Sequence, residues 1–273
     1  MKARLSVIAY CTGAALMLAA CAQTATTPDY TVYVNPFIGT GGHGHTFPGP
    51  VVPHGMIQPS PDTRIDGWDA CSGYYYADST INGFSHNHVS GTGCADYGDF
   101  LLMPTVGEQQ YNPQDYVSQT EPYASPFSHE NETAEPGYYS VFLDRYGVKA
   151  ELTSTPRAAL HRYTFPETTD AGFILDMDYS IQYQTNLDMQ VEVVSDTEIK
   201  GSKLTKYWAF DQQASFYAKF SKPFTYTIVR DTLTDAKGRV QPRCKVLLKF
   251  ETQKDEQVLV KVGISTVDTE GAK

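Results

Sequence analysis

Residues 148–165 read VKAELTSTPRAALHRYTF, and their spacing decides the fold class. Val148, Ala150 and Leu152 alternate with Lys149, Glu151 and Thr153. That is the period of two expected when one face of a strand is buried and the other is wet. A tight turn separates this strand from a second at 158–165. Arg157 and Arg162, either side of that turn, read as ion-paired sheet residues rather than ligand clamps. Working outward, the spacing predicts further strands over 137–145, 172–178, 189–194, 198–204, 215–220, 225–229, 244–251 and 257–265. In the last of these Val258, Val260, Val262 and Ile264 share one face. Turn signals at Tyr146-Gly147, Ser195-Asp196, Lys237-Gly238 and Lys254-Asp255 recur at intervals of about 8 to 12 residues. The rhythm predicts an all-β chain folded as a large antiparallel β-sandwich, with no internal repeat and no long helix. Upstream of Pro136, Gly and Pro interrupt any helical period, so short irregular strands and long loops are expected there.

The N-terminus reads differently. Residues 1–20 carry Lys2 and Arg4, then an apolar stretch, and end in Leu18-Ala19-Ala20-Cys21. This is the pattern of a bacterial lipoprotein signal peptide, in which Cys21 is lipidated and becomes the mature N-terminus. The apolar run falls short of the about 18 residues of a spanning helix. Residues 21–31 then read as a small, polar tether and 32–273 as the folded domain. Such a chain is exported and lipid-anchored, facing the periplasm or the cell surface, with lipid as its only membrane attachment. Loss of Lys2 and Arg4 moves the formal charge from −10 to −12, which argues against nucleic acid as a partner. Cys71, Cys94 and Cys244 remain, an odd number; Cys71–Cys94 is the pair that lies within one motif-rich region, and no CxxC spacing suggests a zinc site. The chain stops in polar, helix-forming residues directly after a strong strand, as if before a following domain.

The chemistry concentrates in residues 35–104, which are dense in glycine and hold five of the seven histidines and one of the two tryptophans. Asp66-Gly67-Trp68-Asp69-Ala70-Cys71-Ser72-Gly73 sets an indole between carboxylates. A sugar ring has an apolar C–H face and a hydroxyl rim, which suits one aromatic wall with acceptors beside it. The alternative is a core tryptophan with turn-capping aspartates. His86-Asn87-His88 and His43-Gly44-His45 repeat a His-x-His spacing. These four histidines are open to ligand contact, to zinc or copper ligation, or to structural hydrogen bonding. Asp62, Asp66, Asp69, Asp78, Asp96 and Asp99 offer acid/base partners, but spacing alone nominates no catalytic pair.

Three stretches, VNPFIGTGGHGHTFPGPVVPHGMIQPSPDTR, GWDACSGY and FSHNHVSGTGCADYGDFLLMP, closely resemble the N-terminal domain of glycoside hydrolase family 92, bacterial exo-acting α-mannosidases. GVKAELTSTPRAALHRYTFP and the closing VGISTVDTEGAK extend the resemblance over essentially the whole mature chain. It implies a supersandwich of the galactose-mutarotase-like kind, packed in the whole enzyme against a C-terminal (α/α)6 barrel with the active site in the cleft between them. It also implies calcium-dependent, inverting hydrolysis of mannose-containing oligosaccharides of the N-glycan type. In such hydrolysis an acid and a base stand about 6.5–9.5 Å apart, and here both carboxylates and the main Ca2+ ligands would belong to the barrel. From this chain the resemblance assigns no catalytic residue and no metal ligand. It assigns Trp68 as a stacking wall, with Asp69, Cys71, His86 and His88 lining or shaping the pocket and His43 a further contact. Pro50 and His54 depart from the smaller or more apolar choices the family would suggest. The chain is thus expected to be the sugar-binding half of such an enzyme, inactive by itself. A stand-alone surface carbohydrate-binding module and a histidine-based metal-binding periplasmic domain are the other readings.

Overall fold

The computed structural model describes residues 28–111, 120–182, 184–234 and 238–273. The expected signal peptide, Cys21, most of the tether and Lys237 lie outside the described residues. The chain divides into two units, Met1–Tyr33 and Val34–Lys273. Of the first, the described part is exposed and closes on a 3-10 turn at Thr31–Tyr33, where Asp29 accepts from the Thr31 hydroxyl at 2.6 Å.

The second unit carries the strands. The short ones come first: β1 (Ser60–Asp62), β2 (Thr80–Ile81), β3 (Gly83–Ser85), β4 (Leu101–Val106), β5 (Ser125–Pro126) and β6 (Glu132–Glu135). Longer ones follow: β7 (Tyr138–Leu143), β8 (Val148–Ser154), β9 (Ala158–Phe165), β10 (Thr168–Asp176) and β11 (Thr185–Val193). The last are β12 (Glu198–Lys206), β13 (Gln212–Phe220), β14 (Thr225–Thr234), β15 (Val240–Thr252) and β16 (Glu256–Ser265). Two large sheets result, ordered β1-β3-β4-β10-β15-β14 and β11-β12-β13-β16-β9-β8-β7-β6, with β2 and β5 as a separate pair. The fold is an antiparallel β-sandwich. Each of the ten strands read from spacing is present. Two run well past their expected ends, because β14 and β15 form a ribbon paired from Thr225↔Lys249 out to Thr234↔Val240. The outer part is polar and holds Pro242, and it pairs with β14 alone, since β10 reaches only to Lys245. Proline is tolerated where one side of a strand makes no ladder bonds.

The core lies between the two sheets and is aromatic at its centre. Phe173 of β10 is fully buried and meets Tyr163 and Phe165 from β9, Phe220 from β13 and Phe250 from β15, at centroid distances of 5.0 to 5.7 Å. Edge-to-face pairs at this separation add to the area they bury. On β9 the alternation of buried Ala159, His161, Tyr163 and Phe165 with outward Arg162 reproduces the pattern in the sequence.

Candidate functional site

Three loop segments meet around Trp68. The first, residues 39–46, is tied to the second by a bond from the Ser72 hydroxyl to the Thr46 carbonyl, 2.9 Å. The second is a 3-10 turn, Trp68–Ala70, entered from Gly67 at φ 103°. The third is the Gly91–Cys94 turn, whose Gly91 N–H donates to the His45 carbonyl at 2.6 Å. Trp68 Nε1 donates to the Gly93 carbonyl at 2.8 Å, which fixes one edge of the indole. The His45 ring stands edge-on to the indole at 4.3 Å, and His43 lies 5.1 Å away at 50°. Gly93 is at φ +67°, and a Cβ there would sit 3.3 Å from both His45 and Trp68. Glycine allows that approach without either ring giving way. Trp68 nonetheless keeps 55% of its surface exposed, an uncommon cost for a residue held at one edge by a hydrogen bond. Beside it the His43 Nδ1 and Asp69 Oδ1 atoms stand 2.5 Å apart, with 75% and 39% of their side chains exposed. Trp68, Asp69 and His43 therefore form one accessible surface: a flat apolar ring, a carboxylate and an imidazole.

The other expected site residues lie deeper. Cys71 is buried and burial pushes its thiol up; Cys71, Cys94 and Cys244 are all free, so the structure contains no Cys71–Cys94 bond. His86 is in the interior, where it can shape the loops but does not reach their surface. Its Nδ1–H donates to the Phe100 carbonyl at 2.7 Å, since a carbonyl can only accept. Its Nε2 must then accept, from His161 Nε2–H at 3.1 Å, and His161 Nδ1 accepts from the Tyr163 hydroxyl at 2.8 Å. The chain of bonds is complete with both rings neutral. Burial accordingly lowers His86 to about 4 and His161 well below its ordinary value. His88 is also buried: its Nδ1 faces the Gln58 carbonyl and its Nε2 faces Asp62, each at 2.8 Å. His88 thus shapes the loops from within. The four His-x-His histidines do not assemble. Among the described residues no three His, Cys, Asp or Glu side chains converge to hold a metal ion.

The six aspartates sort by their partners. Asp62 is paired with His88, and Asp78 with Arg64 and the Thr63 hydroxyl. Asp96 accepts from Gln184 at 2.7 Å, and Asp66 from the Gly67 N–H at 2.7 Å. Asp99 is held by Lys203 at 2.6 Å and by Asn87 at 2.6 Å. Four are thus engaged in holding loops, while Asp66 and Asp69 remain at the accessible surface on either side of Trp68 in the sequence. Two contributors escaped the sequence reading. His45 stood in the repeated His-x-His pattern without being singled out. Lys203 falls on the inward face of β12 in step with Ile199, a charged residue at a core position, and it anchors the loop base by donating also to the Tyr179 carbonyl at 2.8 Å.

With this geometry in view, the model of the glycosyl hydrolase family 92 N-terminal domain matches residues 33–265. The chain belongs to that family. Among solved structures, the family GH92 α-mannosidase BT3965 from Bacteroides thetaiotaomicron, in complex with mannoimidazole, is 40% identical with a TM-score of 0.81; the match covers 89% of this chain and 33% of that one. The family GH92 inverting mannosidase BT2199 from the same organism is 28% identical with a TM-score of 0.71, over 90% of this chain and 33% of its own. A protein of Arthroderma benhamiae described as an uncharacterized secreted glycosidase is 35% identical over 139 residues, half of this chain and 18% of that protein. This family 92 domain therefore spans about a third of the solved relatives' length.

Proposed function

We propose that this domain supplies a sugar-holding wall in the hydrolysis of α-mannosides, with mannose-containing oligosaccharides of the N-glycan type as the substrate. The observation that carries the reading is Trp68. Its indole is fixed at one edge by the Gly93 carbonyl and flanked by His45, yet it stays mostly exposed, with Asp69 and His43 at its side. A pyranose stacked on the ring would bring hydroxyls within reach of the carboxylate and the imidazole. Family membership and the α-mannosidases among the solved relatives support the choice of sugar.

The described residues supply binding and orientation. Four of the six aspartates of the loop region are spent on structural partners, and the acid and the base of hydrolysis are not assigned to it. Calcium, expected from the family, would find its main ligands on the barrel; among the described residues no three His, Cys, Asp or Glu side chains converge to hold it. The same reading makes the protein an exported one, held at the membrane by lipid on Cys21. The secreted description of the fungal relative supports export.

The test is direct because the chain has two tryptophans, Trp68 and Trp208. In a Trp208→Phe background, Trp68 fluorescence should shift and saturate as mannose or mannobiose is added. Trp68→Ala should weaken binding of mannobiose, followed by calorimetry, at least tenfold, roughly 1.4 kcal/mol. Unchanged affinity in Trp68→Ala would remove the site from Trp68.

A further inference from the structure

The segment from Asn87 to Asp99 has two sides. Through Gly93 it touches Trp68, while Asn87, Tyr97 and Asp99 line a separate cavity of about 290 Å³ that opens to solvent. Its other walls include Met56 and Gln58 from the loop before β1, Gln212 and Gln213 at the start of β13, and Ser265 and Thr266 at the end of β16. The volume lies near the lower end of small-ligand sites, roughly 300–1,000 Å³.

The lining has a definite chemistry. Asp99 is neutralised within the fold by Lys203, and the other titratable wall residue, His88, has both ring nitrogens turned to the Gln58 carbonyl and Asp62, so the cavity presents amides, hydroxyls and a phenol. Gln212 Nε2 is buried with no hydrogen-bond partner among the described residues, an arrangement folded proteins rarely leave without a ligand or water. Gln58 spends its Oε1 on the His88 N–H at 3.0 Å, which leaves its Nε2 available among the described residues. Tyr97 and Met56 supply the apolar part and are 36% and 37% exposed. The backbone points the same way. Tyr97 and Phe100 of the lining both have positive φ, at 68° and 57°, and bulky residues held in the left-handed region cluster where a fold clamps a ligand. Amide donors with an aromatic face and no free charge suit a neutral polyhydroxylated ring.

We propose that this cavity is a second binding site, additional to the Trp68 surface, for a neutral hexopyranose or a polyol of that size. The choice of a sugar as ligand rests on the carbohydrate reading of the domain; the cavity and its unpaired donors do not. Two sugar rings would then be held by different residues of the 87–99 segment, whose base the Asn87–Asp99 bonds fix.

Titrating the 15N-labelled full chain with mannose, and separately with mannobiose, separates the two sites. Amide shifts are expected in two groups, one at residues 43–45, 68–69 and 93, the other at 56–58, 97 and 212–213. Met56→Trp fills the cavity from an already exposed position, and it should abolish the second group while the first still saturates. Gln212→Ala should weaken the second group about tenfold, the loss of one buried hydrogen bond, and keeps the inference testable if Met56→Trp fails to fold. Response of the first group alone would overturn the cavity site and leave the Trp68 reading intact. Response of the second alone would do the reverse. No response in either would overturn both.

Discussion

Acid should destabilise this domain through the His161–His86 chain before most carboxylates titrate. Both rings are neutral in the folded core, and both lose ordinary basicity by burial, His86 to about 4 from the usual 6.5. In the unfolded chain each would bind a proton near pH 6.5. The unfolded state thus holds more protons than the native state below that pH, and stability falls as pH falls. The contribution is fully present above about pH 6.5 and is lost as pH drops toward about 4. For His86 the fall from 6.5 to about 4, at about 1.36 kcal/mol per pH unit, comes to about 3 kcal/mol, and His161 acts in the same direction. The assay is urea unfolding of the wild type and of His161→Gln at several values between about pH 7 and about pH 5. Glutamine retains a donor and an acceptor but does not titrate. Its unfolding free energy should fall less steeply, by about 1.4 kcal/mol per pH unit. Parallel curves for the two proteins would mean that His161 does not enter the fold neutral, and the hydrogen-bond assignment from Phe100 to Tyr163 would be wrong.

Other perturbations follow from the same packing. Phe173→Ala removes the ring shared by four other aromatics and should cost about 3–5 kcal/mol, read from chemical denaturation; a loss under about 1 kcal/mol would show the core is not centred there. Gly73 is at φ +91°, and a Cβ would lie 2.1 Å from Asp62 Oδ1, so Gly73→Ala should break the Asp62–His88 pair and lower the melting temperature by several degrees, about 2 kcal/mol or more. Gly93→Ala, with less crowding, should spare the fold but turn the Trp68 indole. A changed Trp68 emission maximum in the Trp208→Phe background would report it, and an unchanged one would count against the contact. Arg162→Ala frees Glu151, which the guanidinium holds down at about 2. Because Arg162 is 44% exposed the loss should be small, within about 1 kcal/mol at neutral pH.

The sandwich was legible because its evidence is local. Val148 to Leu152 and Val258 to Ile264 alternate on the spot, and each inward residue has to be apolar wherever the strand pairs. The polar ribbon beyond Val229 was not legible, since its pairing depends on the partner strand rather than on burial. The site was readable in kind but not in arrangement. Trp68, Asp69 and His43 are the residue types a sugar wall needs, and the glycines around them mark close backbone approach. Which histidine faces solvent is a tertiary matter. His43 and His86 carry the same side chain in the same spacing, yet one loop runs over the surface beside Asp69 while the other enters the core at β3 and finds His161, 75 residues away. Six aspartates likewise look equivalent until their partners Lys203, Arg64, His88 and Gln184 arrive from distant strands and loops. Sequence by itself determined the family, the layers and the list of candidates. Only the tertiary structure, by bringing partners across long separations and burying some donors without one, decided which of them hold the fold and which remain free to meet a ligand.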